Sequence, residues 1–325
     1  MSTDPATGPS VPALLDVHAG GRRIFAELVG PAGAPCFVLV NGLTQYAPLW
    51  AVHRAGLVGR GLRVATFDLF GQGKSDKPAL FISQDDQVAA LDAIIDAVAD
   101  APVFVAGISF GGVIALRHAI QHSTRLAGLV PLSTFASLSP QLELIGNCLL
   151  RGLALGGIDY LQDLLFPMNL SDAWLGPRLG QLEAAKRSGF VVNDLFALQN
   201  LMQSFIGQPS LAGDLPRIAC PTMILNGEFD FLTPRKLHDE IRRGIADSEL
   251  VLVPHAYHAF TLENPELVVD LLAGFAEAVL GGTWQGQRGG QRIWIAADAP
   301  GGALQPFPDG FDPMRAVPVP EGPKA

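Results

Sequence analysis

Short, almost wholly apolar runs recur along the chain and stop at Gly, Asp or Pro: CFVLVNG, LRVATFD, PVFVAG, LAGLVPL, TMILNG and LVLVP. Runs of this length without apolar/polar alternation are the pattern of strands buried on both faces of a parallel sheet. Between them the period changes. From Ser83 to Asp100 the residues Val88, Leu91, Ile94, Ile95 and Val98 form one stripe at helical spacing, with Asp85 and Asp86 near the start, where the helix dipole favours negative charge. Another helix is expected from about Pro265 to Leu280. Strands and helices in alternation predict a doubly wound, mostly parallel α/β sheet with crossover helices. Ahead of it, LLDVH and RRIFAELV around Ala19-Gly20-Gly21 read as a hairpin.

The alternation breaks once. From about Phe135 to Gly213 no strand-like run separates stretches rich in Leu and Phe, which predicts a helical cap inserted into the domain. The expected organisation is a flexible, polar and Pro-rich N-terminus (1–12), a core from 13–134 and 214–280, the cap at 135–213 and a C-terminal tail at 281–325. That tail holds nine Gly and seven Pro, which predicts little regular structure. Trp284 and Trp294 within it make QRIWIA a candidate for docking on the domain.

Composition narrows the function classes. With 325 residues, 49% of them hydrophobic, the chain can bury a large core. A net charge of −9 and the lack of a Lys/Arg-rich run exclude a nucleic-acid polyanion as partner. The first residues show no basic segment followed by an apolar one, and no apolar run long enough to span a bilayer follows, so a cytoplasmic location is expected. Cys36, Cys148 and Cys220 are odd in number and lie in apolar surroundings, as reduced core thiols do. No His/Cys cluster has zinc-ligand spacing, and neither a metal nor another cofactor is expected.

Candidate chemistry starts at Gly107-Ile108-Ser109-Phe110-Gly111, which follows the strand VFVA and opens the helical run GGVIALRHAI. A strand-to-helix turn is the context in which G-x-S-x-G marks a nucleophilic serine, flanked by glycines because neighbouring elements come close. A serine hydroxyl needs a base. His255 and His258 both follow LVLVP, and His258 is preferred because it begins His-Ala-Phe-Thr-Leu-Glu before Asn-Pro-Glu; His18, His53, His118, His122 and His238 are expected at the surface or behind the site. A buried carboxylate must orient the imidazole, and Asp230, in the loop after TMILNG, is preferred over Glu228. The order Ser109, Asp230, His258 is the order expected of nucleophile, orienting acid and base in a fold of this kind. The oxyanion hole is expected to combine the backbone N–H groups of Phe110 and of Leu43, which follows Asn41-Gly42. Asp68 to Ser75 reads as a structural turn beside the nucleophile.

Taken together, NG, FDLFGQGKSDKP, GISFGG, GEFDFLTP and HAFTLENPE resemble the α/β-hydrolase superfamily of serine esterases, lactonases and thioesterases over residues 14–280. The resemblance implies an eight-stranded, mostly parallel sheet with a cap over the site and a triad of Ser109, Asp230 and His258. LVNG, FDLFGQGKS, ISQDDQVAALDAII and STFASLSP are also similar to bacterial 3-hydroxyacyl transferases, which implies acyl transfer from acyl carrier protein or coenzyme A as an alternative; this chain, however, has Gly107 where that group tends to have Ser. Serine as nucleophile excludes the haloalkane dehalogenases, which use Asp. A catalytically idle binding protein of the same fold is the third reading. For the enzyme, the expected substrate is a small ester or thioester with an apolar acyl group, because the cap carries Leu142, Ile145, Leu149, Tyr160, Leu165, Phe190, Phe196, Met202, Phe205 and Ile206 among few charges. Most of these should pack the cap onto the sheet, and the rest should line an acyl pocket.

Overall fold

A computed structural model describes residues 12–78, 81–205, 208–286, 293–295 and 305–306. The flexible segment expected at the N-terminus and most of the tail lie outside the described residues.

The chain opens with the antiparallel hairpin β1 (Ala13–Ala19) and β2 (Arg22–Val29). Its turn needs left-handed backbone at two successive positions, supplied by Gly20 (φ 57°) and Gly21 (φ 75°). Then come β3 (Cys36–Val40), helix α1 (Ala51–Val58), β4 (Arg63–Phe67), α2 (Gln84–Val98), β5 (Val103–Ile108), α3 (Phe110–His122) and β6 (Gly128–Leu132). Helices α4 (Pro140–Asn169), α5 (Asp172–Leu175), α6 (Leu182–Val192) and α7 (Leu195–Gln203) follow. The chain returns to the sheet with β7 (Thr222–Gly227), α8 (Arg235–Gly244), β8 (Ser248–Val253), α9 (Phe260–Glu263) and α10 (Pro265–Leu280).

Strand order is β1-β2-β4-β3-β5-β6-β7-β8, with β3 to β8 parallel, and every residue of those six strands is buried. That explains their uninterrupted apolar runs. The sheet is longer than eight strands. In the tail, Ile293–Ile295 forms β9 parallel to β8, and Gln305–Pro306 forms β10 beside β9. Ile293–Ile295 of the docking candidate QRIWIA thus pair with the sheet through their backbone, where the tail as a whole was expected to hold little regular structure.

One apolar core, including Leu57 of α1 and Val268, Leu272 and Phe275 of α10, covers one face of the sheet. The other includes Leu91 and Ile94 of α2, Ile114 of α3, Leu237 and Ile241 of α8, and the cap residues Leu153, Leu161, Leu198 and Leu201. Helix α2 begins where its sequence says: Ser83 Oγ accepts the Asp86 N–H at 3.0 Å and the Asp86 carboxylate accepts the Ser83 N–H at 2.9 Å, a closed capping box.

Between β6 and β7 the described residues hold helices and no strand. Helix α4 is bent at Gly157, whose φ of 69° no interior helical residue adopts. Two expectations change here. Helix α4 is, by length and composition alone, the one helix among the described residues long and apolar enough to cross a membrane, although no such run was expected. Its charges, Glu143, Arg151, Asp159 and Asp163, are spaced thinly enough to leave an apolar stretch between them. Cys148, on its outward side, is exposed, whereas Cys36 and Cys220 are buried as expected and burial pushes their thiols up to about 11 and about 12.

Candidate active site

The strand order reverses between β3 and β5, and at such a switch point the loops leaving the carboxyl ends diverge and open a crevice. Val40, at the end of β3, pairs in register with Gly107 of β5. The loop carrying Gly42 and Leu43 therefore lies beside the turn carrying Ser109.

Ser109 has φ 53° and ψ −116°, a region that costs energy for a residue with a side chain. The surroundings over-determine it. A Cβ on Gly107 would stand 2.4 Å from the Gly111 carbonyl oxygen, and one on Gly111 would stand 2.5 Å from the carbonyl oxygens of Val40 and Asn41. The Ser109 N–H donates to the Leu132 carbonyl at 2.9 Å, and its own carbonyl accepts from Thr134 Oγ1 at 2.7 Å. Phe110 is the first residue of α3, so its N–H has no partner within the helix. The Gly42 N–H is held by Gln45 Oε1 at 2.9 Å and the Gln45 N–H donates back to Gly42 at 3.2 Å, a turn with Leu43 at its bend.

Asp230 and His258 come together from the loops after β7 and β8. His258 Nδ1 lies 3.0 Å from both carboxylate oxygens of Asp230. Asp230 also accepts from the Thr233 N–H (2.8 Å) and Thr233 Oγ1 (2.7 Å). Burial by itself would raise the Asp230 pKa, but the interaction with His258 and the hydrogen bond from the Thr233 N–H hold it below the usual carboxylate value. An ionised Asp230 places the imidazole proton on Nδ1 and leaves Nε2 free to accept. His258 and Ser109 border one cavity of about 190 Å³ without a direct hydrogen bond between them.

The rejected candidates have other work. The His255 N–H donates to Glu228 Oε2 at 2.8 Å, and His255 is exposed, so this pair ties the two loops together away from the cavity. Asp68 accepts the N–H groups of Ala47 and Lys74, both at 2.7 Å, and Ser75 Oγ donates to the Asp68 carbonyl, as a structural turn should. Of the remaining histidines, His53, His118 and His238 are buried.

Three features escaped the sequence reading. Thr233 braces the carboxylate from three residues away. His238, on α8, accepts the Thr134 N–H at its Nε2 (2.9 Å), so a histidine distant in sequence braces the residue that holds the Ser109 carbonyl; burial pushes its pKa down to about 4 and keeps it neutral. On the far side of α3, Asp92, His118 and His122 bring their ligand atoms within 4.8 Å of one another, a grouping the linear spacing did not reveal. There Asp92 Oδ1 is already shared by His118 Nε2 (2.9 Å) and Arg125.

The cavity walls are Ile108, Phe110, Phe135, Leu138, Leu142, Ile145, Leu149, Leu150, Leu165, Met202, Phe205 and Leu232. Cap residues thus supply much of the lining. Tyr160 and Phe196 are exposed instead, and Ile206 and the Phe190 side chain lie outside the described residues.

The sequence profile of the family described as Serine aminopeptidase, S33, matches residues 34–265. The chain belongs to this family of α/β hydrolases. It is 26% identical to the AB hydrolase superfamily protein YisY of Bacillus subtilis, over 78% of this chain and 96% of that protein. It is 25% identical to the proline iminopeptidase PfmaB of Pestalotiopsis fici, over 80% and 98% respectively. The enol-lactonase of Burkholderia xenovorans LB400 shares the fold, with a TM-score of 0.71 and 21% identity over 79% of this chain and 98% of the other. As a member of this family, the chain has the α/β-hydrolase fold and is a hydrolase.

Proposed function

We propose that the protein hydrolyses uncharged carboxylic esters with an apolar acyl group through an acyl-Ser109 intermediate. The observation that carries this reading is His258, fixed by a buried Asp230 at 3.0 Å and bordering the same cavity as Ser109 on its strained turn. Ser109 Oγ attacks the ester carbonyl as its proton passes to His258 Nε2. The carbonyl oxygen, now negative, accepts from the N–H groups of Phe110 and Leu43. His258 then gives the proton to the departing alcohol, and water, deprotonated by His258, releases the acid.

The lining argues for an uncharged substrate. Among the described residues no Lys or Arg borders the cavity, and Glu143 is the one carboxylate that does. A coenzyme A thioester carries phosphates, for which the described lining offers no cation, so hydrolysis of simple esters is favoured over acyl transfer from that carrier. The apolar walls favour acyl chains beyond acetyl, because each buried methylene adds about 0.8 kcal/mol.

The test is twofold. A fluorophosphonate probe should label Ser109 in the peptide containing GISFGG and nowhere else on the folded protein. On p-nitrophenyl esters from acetyl to dodecanoyl, kcat/KM should rise about three- to fourfold per carbon until the cavity is full. No adduct on Ser109 overturns the nucleophile, and activity that peaks at acetyl overturns the acyl pocket.

A further inference from the structure

The loop that carries the proposed oxyanion donor Leu43 is fixed firmly at its ends. Trp50 Nε1 donates to Asn41 Oδ1, Asn41 Nδ2 donates to the Phe67 carbonyl, and Asp68 Oδ1 accepts the Ala47 N–H, each at 2.7 Å. Its middle holds strain. The Gln45 N–H donates to the Gly42 carbonyl at 3.2 Å, which makes residues 42–45 a four-residue turn with Thr44 in third place at φ 66°. A positive φ at that place suits glycine or asparagine and costs energy for a β-branched residue, so it persists only where the surroundings hold it. Relaxing Thr44 to an ordinary φ opens the turn and re-aims the Leu43 N–H, which the turn's own hydrogen bond does not use.

The cap supplies a hold. Asn193, between α6 and α7, is buried, and its Nδ2 donates to the Thr44 carbonyl at 3.2 Å across 149 positions of sequence. Asn193 is itself anchored. Next to it, Asp194 caps α7 by accepting the Ala197 N–H at 2.8 Å. Helix α7 lies so close to the turn at residues 68–75 that a Cβ on Gly71 would stand 3.2 Å from the Ala197 Cβ. Asp68, which holds Ala47, begins that same turn, so the cap residue and the oxyanion loop are both set against one piece of backbone.

We propose that Asn193 is a positioning residue of the oxyanion hole: by holding the Thr44 carbonyl it keeps the strained turn in the form that aims the Leu43 N–H at the substrate oxygen. The cap thereby contributes to the chemical step as well as to the acyl pocket. This inference rests on the serine-hydrolase reading above.

The full chain is compared with Asn193→Leu, which keeps the volume without the donor, and with Asn193→Ala. On p-nitrophenyl octanoate both should lower kcat/KM by about tenfold or more, since an aimed oxyanion donor acts on the transition state. Affinity for octylboronic acid should fall in step, because Ser109 Oγ bonds to boron as its proton passes to His258, and the resulting tetrahedral anion places an oxygen where the oxyanion forms. Inhibition by 1-octanol, which fills the acyl pocket without that anion, should not change. Adding Thr44→Gly or Thr44→Asn to Asn193→Leu lowers the cost of a positive φ, and at least one of them should return kcat/KM to within about threefold of the wild type.

A loss that neither Thr44 substitution recovers, equal weakening of boronate and octanol, no loss at all, or unfolding of both Asn193 variants in thermal melts would each assign Asn193 to the packing of the cap and overturn the proposal. If the wild type takes no phosphonate on Ser109 and turns over no ester, the serine-hydrolase reading falls and this inference with it. If it does both, only the Asn193 assignment is at stake.

Discussion

The loops at the carboxyl edge of the sheet and the cap helices face each other across one cavity, and they are held in different ways. On the sheet side, position is enforced by backbone. Ser109 keeps a left-handed φ of 53° because Gly107 and Gly111 press against neighbouring carbonyls and Thr134, braced by His238, grips its carbonyl. On the cap side, Leu142, Ile145 and Leu149 of α4, which is bent at Gly157, offer apolar surface together with Met202 of α7 and Phe205. The difference follows from what each side must do. Reacting atoms misplaced by an ångström forfeit rate, so their supports are rigid and hydrogen-bonded. An acyl chain needs only to be kept from water, and apolar packing of about the right volume tolerates exchange.

Several variants would sharpen or break this contrast. The largest effect is expected on the sheet side: His258→Ala should lower kcat by about 10⁴, since removing one member of such a unit disables the whole. His255→Ala, in the same loop but outside the cavity, should change kcat by less than about threefold; the reverse result would show that the wrong histidine is assigned.

Next comes a pair of glycines. Gly107→Ala must force a methyl group against the Gly111 carbonyl and should destabilise the fold by about 3 kcal/mol or more in urea denaturation. Gly146→Ala, in cap helix α4 with nothing within 4 Å of a new Cβ, should instead stabilise it by about 0.5–1 kcal/mol. Equal effects would remove the distinction between a backbone-limited shelf and a tolerant cap.

The pH dependence of stability is a third probe. His53 and His238 are buried, and burial lowers both pKa values from 6.5 to about 4. Between those values the unfolded chain binds protons that the native state refuses. Stability should therefore be complete above about pH 6.5 and fall as the pH drops toward 4, by roughly 3 kcal/mol at most for each histidine. Below about 4 a protonated His238 can no longer accept the Thr134 N–H, and the support of Ser109 should fail with it. In thermal melts, His238→Gln should flatten the profile over this window; an unchanged slope would place the acid sensitivity elsewhere. The smallest effect is expected in the cap, where Leu142→Ala should lengthen the preferred acyl chain by one or two carbons in the ester series.

The strands were legible in the sequence because burial on both faces leaves uninterrupted apolar runs, as in CFVLV and TMILNG. Helix α2 was legible from its stripe and from Ser83 with Asp86. In the tail, Trp294 marked Ile293–Ile295 as a docking candidate, but three residues pairing with a neighbouring edge leave almost no periodic signal of a strand. Thr233 lay within the GEFDFLTP segment, and its position after Asp230 was the signal that could have found it. His238 gave none, since a histidine in a charged amphipathic helix looks like a surface residue until the fold packs it beneath Thr134.

What the sequence determined by itself was local chemistry in order: a serine between glycines at a strand-to-helix turn, then an aspartate and a histidine each just past a strand. These signals are local because sharp turns and strand ends constrain only a few adjacent residues. The tertiary structure alone decided which carboxylate and which imidazole meet, that His238 supports the nucleophile's turn, and which cap residues line the cavity. Each of these joins residues tens to more than a hundred positions apart, and such a hydrogen bond or apolar contact exists only once the sheet order and the path of the cap have brought the loops together.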